Sequence, residues 1–271
     1  MNIVVDLWLI SFAKTLVLFV FYLQISGENM FNFAAFIEVT MRLIVYAILF
    51  LISSGLFGQE KKSVVVINDT SKYLEQVREN PNNELLDLED FIPGLKLDIR
   101  FATINNIVGE KIYASPKAFV RKPMAVSLEI IQEALNRRGF GLVIYDAYRP
   151  FSIVEKIDEQ MKNPADEALL ENSVKHSRGA SVDVSLFNLA TGEEVQMPSG
   201  YCQKIEATNT NYQDLPDNVL ENREILIQVM QQHGFRVNPN QWWHFDFMGW
   251  QAFELMDLSF EEIENMNKYL K

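Results

Sequence analysis

Cysteine occurs once in the 271 residues and histidine only three times. A lone thiol, Cys202, excludes an internal disulfide framework and any multi-cysteine zinc or iron–sulfur site. Basic side chains are also scarce: 24 lysines and arginines against 36 aspartates and glutamates leave a formal net charge of −12. This balance argues against nucleic acid as a partner, because phosphates recruit a basic surface. No internal repeat and no low-complexity segment is present.

Charge of either sign is nearly missing from residues 1–58, which hold only Asp6, Lys14, Glu28, Glu38 and Arg42 alongside 11 of the 32 aromatic residues. The mean hydropathy of −0.02 therefore averages two unlike pieces. The other 213 residues, with 33 acids and 22 bases, have an ordinary acidic composition of net charge −11. In the apolar head, residues 7–25 are long enough to cross a bilayer, although Lys14 interrupts them. Residues 43–51 are shorter, preceded by Met41-Arg42 and followed by Ser53-Ser54-Gly55 and Gly58. A basic residue, an apolar run of about nine and a small-residue exit are the parts of a secretory signal peptide. The expectation is translation from Met41, a signal peptide over 41–58 and a periplasmic or secreted product. The alternative is a membrane anchor built from both apolar stretches, so that membrane contact is confined to residues 1–58. No cysteine near the exit supports lipid attachment.

Residues 59–83 read as a polar, irregular linker, and 84–271 as one α+β domain with a small antiparallel sheet flanked by helices. Ser127, followed by Leu128, Ile130, Ile131, Ala134 and Leu135 and closed by Gly139, predicts an amphipathic helix with an N-cap and a C-terminal glycine. Gly141 to Tyr145 is a short apolar run typical of a buried strand. Residues 181–187 and the aromatic-rich 241–247 read as further strands, and 224–232, closed by Gly234, as a second helix. Ser259 with Glu262 three residues on is a capping box that opens the last helix.

Two of the three histidines sit in informative places. His176 lies in Lys175-His176-Ser177-Arg178-Gly179, seven residues before Asp183, and His244 lies in Gln241-Trp242-Trp243-His244-Phe245. Zinc hydrolases commonly take three ligands of the His/Asp/Glu type and keep one position for water. The glycine permits a tight turn, so a loop histidine and a strand aspartate can converge. Taken singly, each histidine reads first as a hydrogen-bonded structural residue. His233, before Gly234, keeps that reading as a cation suited to a helix end.

Tyr145-Asp146-Ala147-Tyr148-Arg149-Pro150, the His176 to Asp183 segment and Trp242-Trp243-His244-Phe245 resemble the motifs of the zinc D-alanyl-D-alanine dipeptidases, the VanX-type metallopeptidases. Leu97-Asp98-Ile99-Arg100-Phe101-Ala102-Thr103, with Asn105-Asn106, is similar to that family's opening strand. The resemblance runs from about residue 84 to the C-terminus. It implies one Zn2+ held by His176, Asp183 and His244, a small dipeptide substrate, and hydrolysis by a metal-activated water. It gives Arg149 the task of holding the substrate and steadying charge on the carbonyl oxygen, for which a permanently charged fork of donors is suited. The competing reading of Arg149 is a surface ion pair with Asp146, which either orients it or caps the next helix. Tyr148, Trp242 and Trp243 read as packing around the site.

One departure is chemical. The resemblance puts a general-base glutamate three residues before the last zinc histidine, and here that position is Gln241. An amide holds water by hydrogen bond but takes no proton near neutral pH, and general acid–base help is worth roughly 100- to 10,000-fold. Either Asp246 substitutes, or the metal supports slow turnover alone, or the protein is a catalytically silent relative that binds a dipeptide or peptidoglycan stem. A carboxypeptidase acting on longer cell-wall peptides is a further alternative. Strand alternation puts Asp246 on the face of His244 and Gln241 on the other unless the strand is bulged. A second departure is Met197-Pro198-Ser199-Gly200-Tyr201-Cys202, where the corresponding segment lines the substrate pocket and carries an aspartate; Cys202 or a neighbour stands there. Cys202 reads as a small packed side chain, not a nucleophile. N-terminal sequencing of the mature protein is expected to begin close to Gln59; a start at or beyond Phe19 but before Arg42 overturns the signal-peptide reading.

Overall fold

A computed structural model describes residues 65–161 and 174–270. The apolar head, and with it the expected signal peptide or anchor, lies outside the described residues. Among the described residues no helix is long and apolar enough to cross a membrane. The chain runs β1 (Val66–Ile67), α1 (Thr70–Glu79), β2 (Leu85–Asp87), α2 (Leu88–Phe91), β3 (Lys96–Leu97), β4 (Phe119–Arg121) and α3 (Lys122–Asn136). It continues through β5 (Phe140–Asp146), α4 (Phe151–Met161), β6 (Ser181–Asn188), α5 (Asp217–Gln232), β7 (Phe235–Asn238), β8 (Gln241–Phe247), β9 (Leu255–Met256) and α6 (Phe260–Leu270). This is the α+β class that the strand and helix patterns predict.

The central sheet has the order β3-β5-β6-β8-β7, with β3 parallel to β5 and every other neighbour antiparallel. β5 and β6 are interior strands buried along nearly their whole length, which is why Gly141–Tyr145 is a continuous apolar run and does not alternate. α3 and α5 pack against each other and against the sheet. Buried Gln132 of α3 accepts the Leu142 amide of β5 at 2.9 Å. Gly141 has no room for a side chain: a Cβ would stand 2.3 Å from the Phe187 ring. Smaller pairings complete the domain, β1 parallel to β9 and β2 antiparallel to β4.

Three boundaries differ from expectation. Ser127 is not an N-cap: α3 begins at Lys122 with Pro123 in its first turn, where a missing N–H costs nothing and the fixed φ suits the helix. α5 begins seven residues before Glu224, behind Pro216. The segment expected as a linker contains α1, capped by Asp69 accepting the Ser71 amide at 2.8 Å and buried through Tyr73 and Val77. Its polar composition describes the outer face only. The capping box is present: Ser259 Oγ accepts the Glu262 amide at 3.2 Å, and Glu262 Oε2 accepts the Ser259 amide at 2.8 Å. His233 is the C-cap of α5.

Arg121 is fully buried and has backbone carbonyls as its partners. Its guanidinium donates to Arg178 O at 2.8 Å, Asn83 O at 2.5 Å and Glu254 O at 3.2 Å. It thereby ties the start of β2 and the approach to β9 to the turn that follows His176. In that turn Gly179 has φ +67°, and a Cβ there would meet Leu85 Cδ2 at 2.6 Å. Hydrogen bonds to a charged group contribute about 1.5–3 kcal/mol, and an orphaned buried acceptor adds its own penalty. Arg121→Met should therefore lower stability by about 3 kcal/mol or more, read by denaturant unfolding; a loss within experimental error would refute its role as a strut.

Candidate metal centre and its buried arginine

The register of the three middle strands builds the site. β5 pairs with β6 as Ile144 with Val184 and then Asp146 with Asp183, so Tyr145 is accommodated as an extra residue. β6 pairs with β8 as Asp183 with His244. Asp146, Asp183 and His244 thus form one row across three strands. His176 joins them from the helical end just ahead of the turn before β6, held where Arg149 N donates to His176 O at 3.3 Å and Gly179 N to the same carbonyl at 2.9 Å.

Each ring has one nitrogen committed away from the cluster. His176 Nδ1 donates to Ala147 O at 2.7 Å, which turns Nε2 toward Asp183 Oδ1 at 3.4 Å. His244 Nε2 donates to Asp246 Oδ1 at 2.9 Å, which turns Nδ1 toward Asp183 Oδ1 at 2.9 Å. The two inward nitrogens are 3.3 Å apart. All three residues are at most 4% exposed. Bonds of 2.0–2.1 Å around a tetrahedral ion put neighbouring ligand atoms about 3.3 Å apart. Spacings of 2.9–3.4 Å, with outward nitrogens satisfied by a carbonyl and a carboxylate, fit such an ion. Among the described residues this is the cluster of His, Cys, Asp and Glu side chains that could hold a metal.

The electrostatics are those of paired buried charge. Burial works against ionised Asp183, but His176 and His244 hold it well below the usual carboxylate range. Burial likewise disfavours charged His244, yet its bonds to Asp183 and Asp246 raise it to about 9. Asp246 does not stand free to act as a base. It accepts from His244, from Lys175 Nζ at 2.8 Å and from Ser181 Oγ at 2.8 Å. Its place on the His244 face agrees with strand alternation; its task is to orient the ring.

Arg149 is 5% exposed, so a surface ion pair does not describe it. Its Nη2 meets Asp146 Oδ2 at 2.5 Å and its Nε the same oxygen at 3.1 Å. Asp146 is fixed in turn by Tyr113 Oη, which donates to Oδ1 at 2.9 Å, and the guanidinium lies over the Phe101 ring at 4.5 Å. Burial opposes the charge of Arg149, but Asp146 outweighs it and holds the guanidinium protonated. Asp146 is therefore the orienting partner.

Gln241 is the first residue of β8 and half-buried. The β7–β8 pairing steps from Val237 with Phe245 to Asn238 with Gln241, so one step on β7 spans four on β8. This irregularity removes the parity rule that would separate Gln241 from His244 by face. Tyr148, Trp242 and Trp243 are buried packing residues: Tyr148 Oη donates to Leu258 O at 2.9 Å and Trp242 Nε1 to Ser199 Oγ at 2.9 Å. The Cys202 thiol is pushed up to about 12 by burial and by Asp183, which leaves no thiolate for nucleophilic work. Sequence reasoning did not assign roles to Tyr113, the Ala147 carbonyl or the Tyr201 hydroxyl, which donates to Asp183 Oδ2 at 2.7 Å. Only Tyr201 carried a signal, as part of the departing 197–202 segment.

A His–Asp–His cluster beside a buried, carboxylate-held guanidinium, on a mixed α+β scaffold, marks a hydrolase of the metallopeptidase class. Residues 81–263 match the family model described as D-ala-D-ala dipeptidase. The D-alanyl-D-alanine dipeptidase of Escherichia coli (strain K12) is 28% identical over 163 residues, covering 60% of this chain and 84% of that protein. The D-alanyl-D-alanine dipeptidase of Enterococcus faecalis (strain ATCC 700802 / V583) is 27% identical over 183 residues, covering 60% and 91%. That of Streptomyces coelicolor is 26% identical over 178 residues, covering 58% and 88%. The chain belongs to the D-Ala-D-Ala dipeptidase family.

Removing one partner of a buried ion pair costs about 3–5 kcal/mol because the other charge is stranded. Asp146→Ala should lose that much by denaturant unfolding, well beyond what Asp98→Ala loses at its part-exposed pair with Arg100. Equal losses would mean that Asp146 and Arg149 do not form the buried pair described.

Proposed function

We propose that this chain is a zinc-dependent dipeptidase of the D-Ala-D-Ala type, with one Zn2+ per chain and turnover impaired by Gln241. The supporting observation is the set of three single donor atoms, His176 Nε2, Asp183 Oδ1 and His244 Nδ1, at the spacings given above. Two imidazole nitrogens and one carboxylate oxygen are the donors of catalytic zinc sites. When bound, such an ion polarises a scissile carbonyl and lowers the pKa of its water to about 7.

The chain's own residues then divide the remaining work. Arg149, kept charged and aimed by Asp146, offers donors to the substrate and to the oxygen on which charge develops. The Gln241 amide accepts a hydrogen bond from water but retains no proton from it, so proton transfer to the leaving amine lacks the carboxylate this position would otherwise supply. Asp246 does not replace it, being engaged by His244, Lys175 and Ser181. The relatives' names point to a small dipeptide as substrate. A second reading, a zinc-containing protein that binds a dipeptide or peptidoglycan stem without cleaving it, is favoured by the same Gln241. The proposal includes export to the periplasm or cell surface, or anchoring through residues 1–58, on the composition of that segment alone.

The test loads purified protein with zinc, offers D-Ala-D-Ala and other dipeptides, and compares it with Gln241→Glu. The variant should turn over about 100- to 10,000-fold faster at unchanged zinc content. A parent as fast as the variant refutes the impairment. No cleavage by either, with zinc bound, favours the binding reading. Failure of both to hold zinc defeats the metal assignment.

A further inference from the structure

We propose that Tyr201 is a positioning residue of the metal centre, whose hydroxyl occupies Asp183 Oδ2 and so selects Oδ1 as the ligand atom. The inference rests on the metal reading above. A carboxylate with two free oxygens can swing between them or offer both. Here the phenol donates to Oδ2 at 2.7 Å, while Oδ1 faces His244 Nδ1 at 2.9 Å and His176 Nε2 at 3.4 Å. Together with Ala147 O behind His176 and Asp246 behind His244, Tyr201 gives each of the three residues one outer partner and one inward lone pair. Outer partners of this kind fix ligand orientation.

The surroundings of Tyr201 are those of a side chain held for position. Its ring is packed between Tyr145, at a centroid distance of 5.0 Å, and Trp243, at 5.5 Å. Trp243 directly precedes His244, so the ring bears on the strand that carries the second imidazole. The loop is pinned on either side of Tyr201: Trp242 Nε1 donates to Ser199 Oγ at 2.9 Å, and Gly200 N donates to Gln203 Oε1 at 2.9 Å. Cys202, the next residue, has φ +58°, a left-handed conformation that is strained for a non-glycine residue. Strain of this sort persists where surrounding contacts over-determine the backbone.

The experiment measures zinc affinity of the purified protein by competition with a chromophoric chelator, together with the visible spectrum of the Co2+-substituted form. Tyr201→Phe keeps the ring and removes the hydroxyl. It should weaken zinc about 10-fold or more and alter the cobalt spectrum, while the metal-free protein stays folded by circular dichroism. Tyr145→Phe removes a hydroxyl from the adjoining ring, one that donates to Glu194 and not to the cluster, and should bind zinc as the parent does. Parent-like affinity and cobalt spectrum in Tyr201→Phe overturn the inference and leave the metal centre standing. Equal weakening in Tyr145→Phe also overturns it, because the effect then belongs to the stacked rings. A parent that binds no zinc defeats the metal reading itself.

Discussion

The antiparallel register of β5, β6 and β8 sets Asp146, Asp183 and His244 side by side, and the chemistry of the domain depends on that alignment. Side chains alternate across a strand, so a slip of one residue would send all three to the opposite face. The extra residue at Tyr145 lets Asp146 face Asp183 after the regular pairing of Ile144 with Val184. Two buried carboxylates then lie abreast, an arrangement that burial alone would not tolerate. Each is answered by its own cation: Arg149 balances Asp146, and His244 balances Asp183 in the metal-free state. The ion proposed here would take over the second of these roles with the same donor atoms.

A second constraint holds the row to the rest of the domain. His176 closes a short helical segment just before the turn at 177–179, and it needs neighbouring backbone to fix its place in the cluster. Arg121 supplies that fixation from within the core by gathering carbonyls from three distant segments, one of them at Arg178. Gly179 is the matching concession, since its backbone conformation and the nearness of Leu85 leave no room for a Cβ. The same segment hands its His176 carbonyl to the Arg149 amide, which couples the ligand histidine to the arginine that faces the substrate in our reading.

Much of this was legible from one sequence, for identifiable reasons. Interior strands appear as apolar runs, and a capping box needs only local chemistry, so β5 and the start of α6 were readable. Elements whose burial is one-sided, or whose start carries no side-chain cap, were not. α1 hides behind a polar outer face, and the true start of α3 is Lys122, five residues before the first side chain that looked like a cap. At the site, residue types and spacing marked His176, Asp183 and His244, and the family resemblance marked Arg149. They did not show whether the Arg149–Asp146 pair is solvated or buried, and burial changes its meaning from a weak surface contact to a fixed charge.

The sequence alone determined the ingredients: two imidazoles and a carboxylate with no thiolate to compete, one arginine beside a proline turn, and an amide, Gln241, three residues before His244. Only the tertiary structure decided which atoms of those residues face one another. It turned Asp246 from a candidate base into the partner of His244, gave Asp146 to Arg149, and set the Tyr201 hydroxyl against Asp183. The reason is physical. Spacing along the chain limits which residues can meet, but the choice of tautomer, oxygen and partner is made by hydrogen bonds between segments tens of residues apart. Those bonds exist only once the strands have found their register.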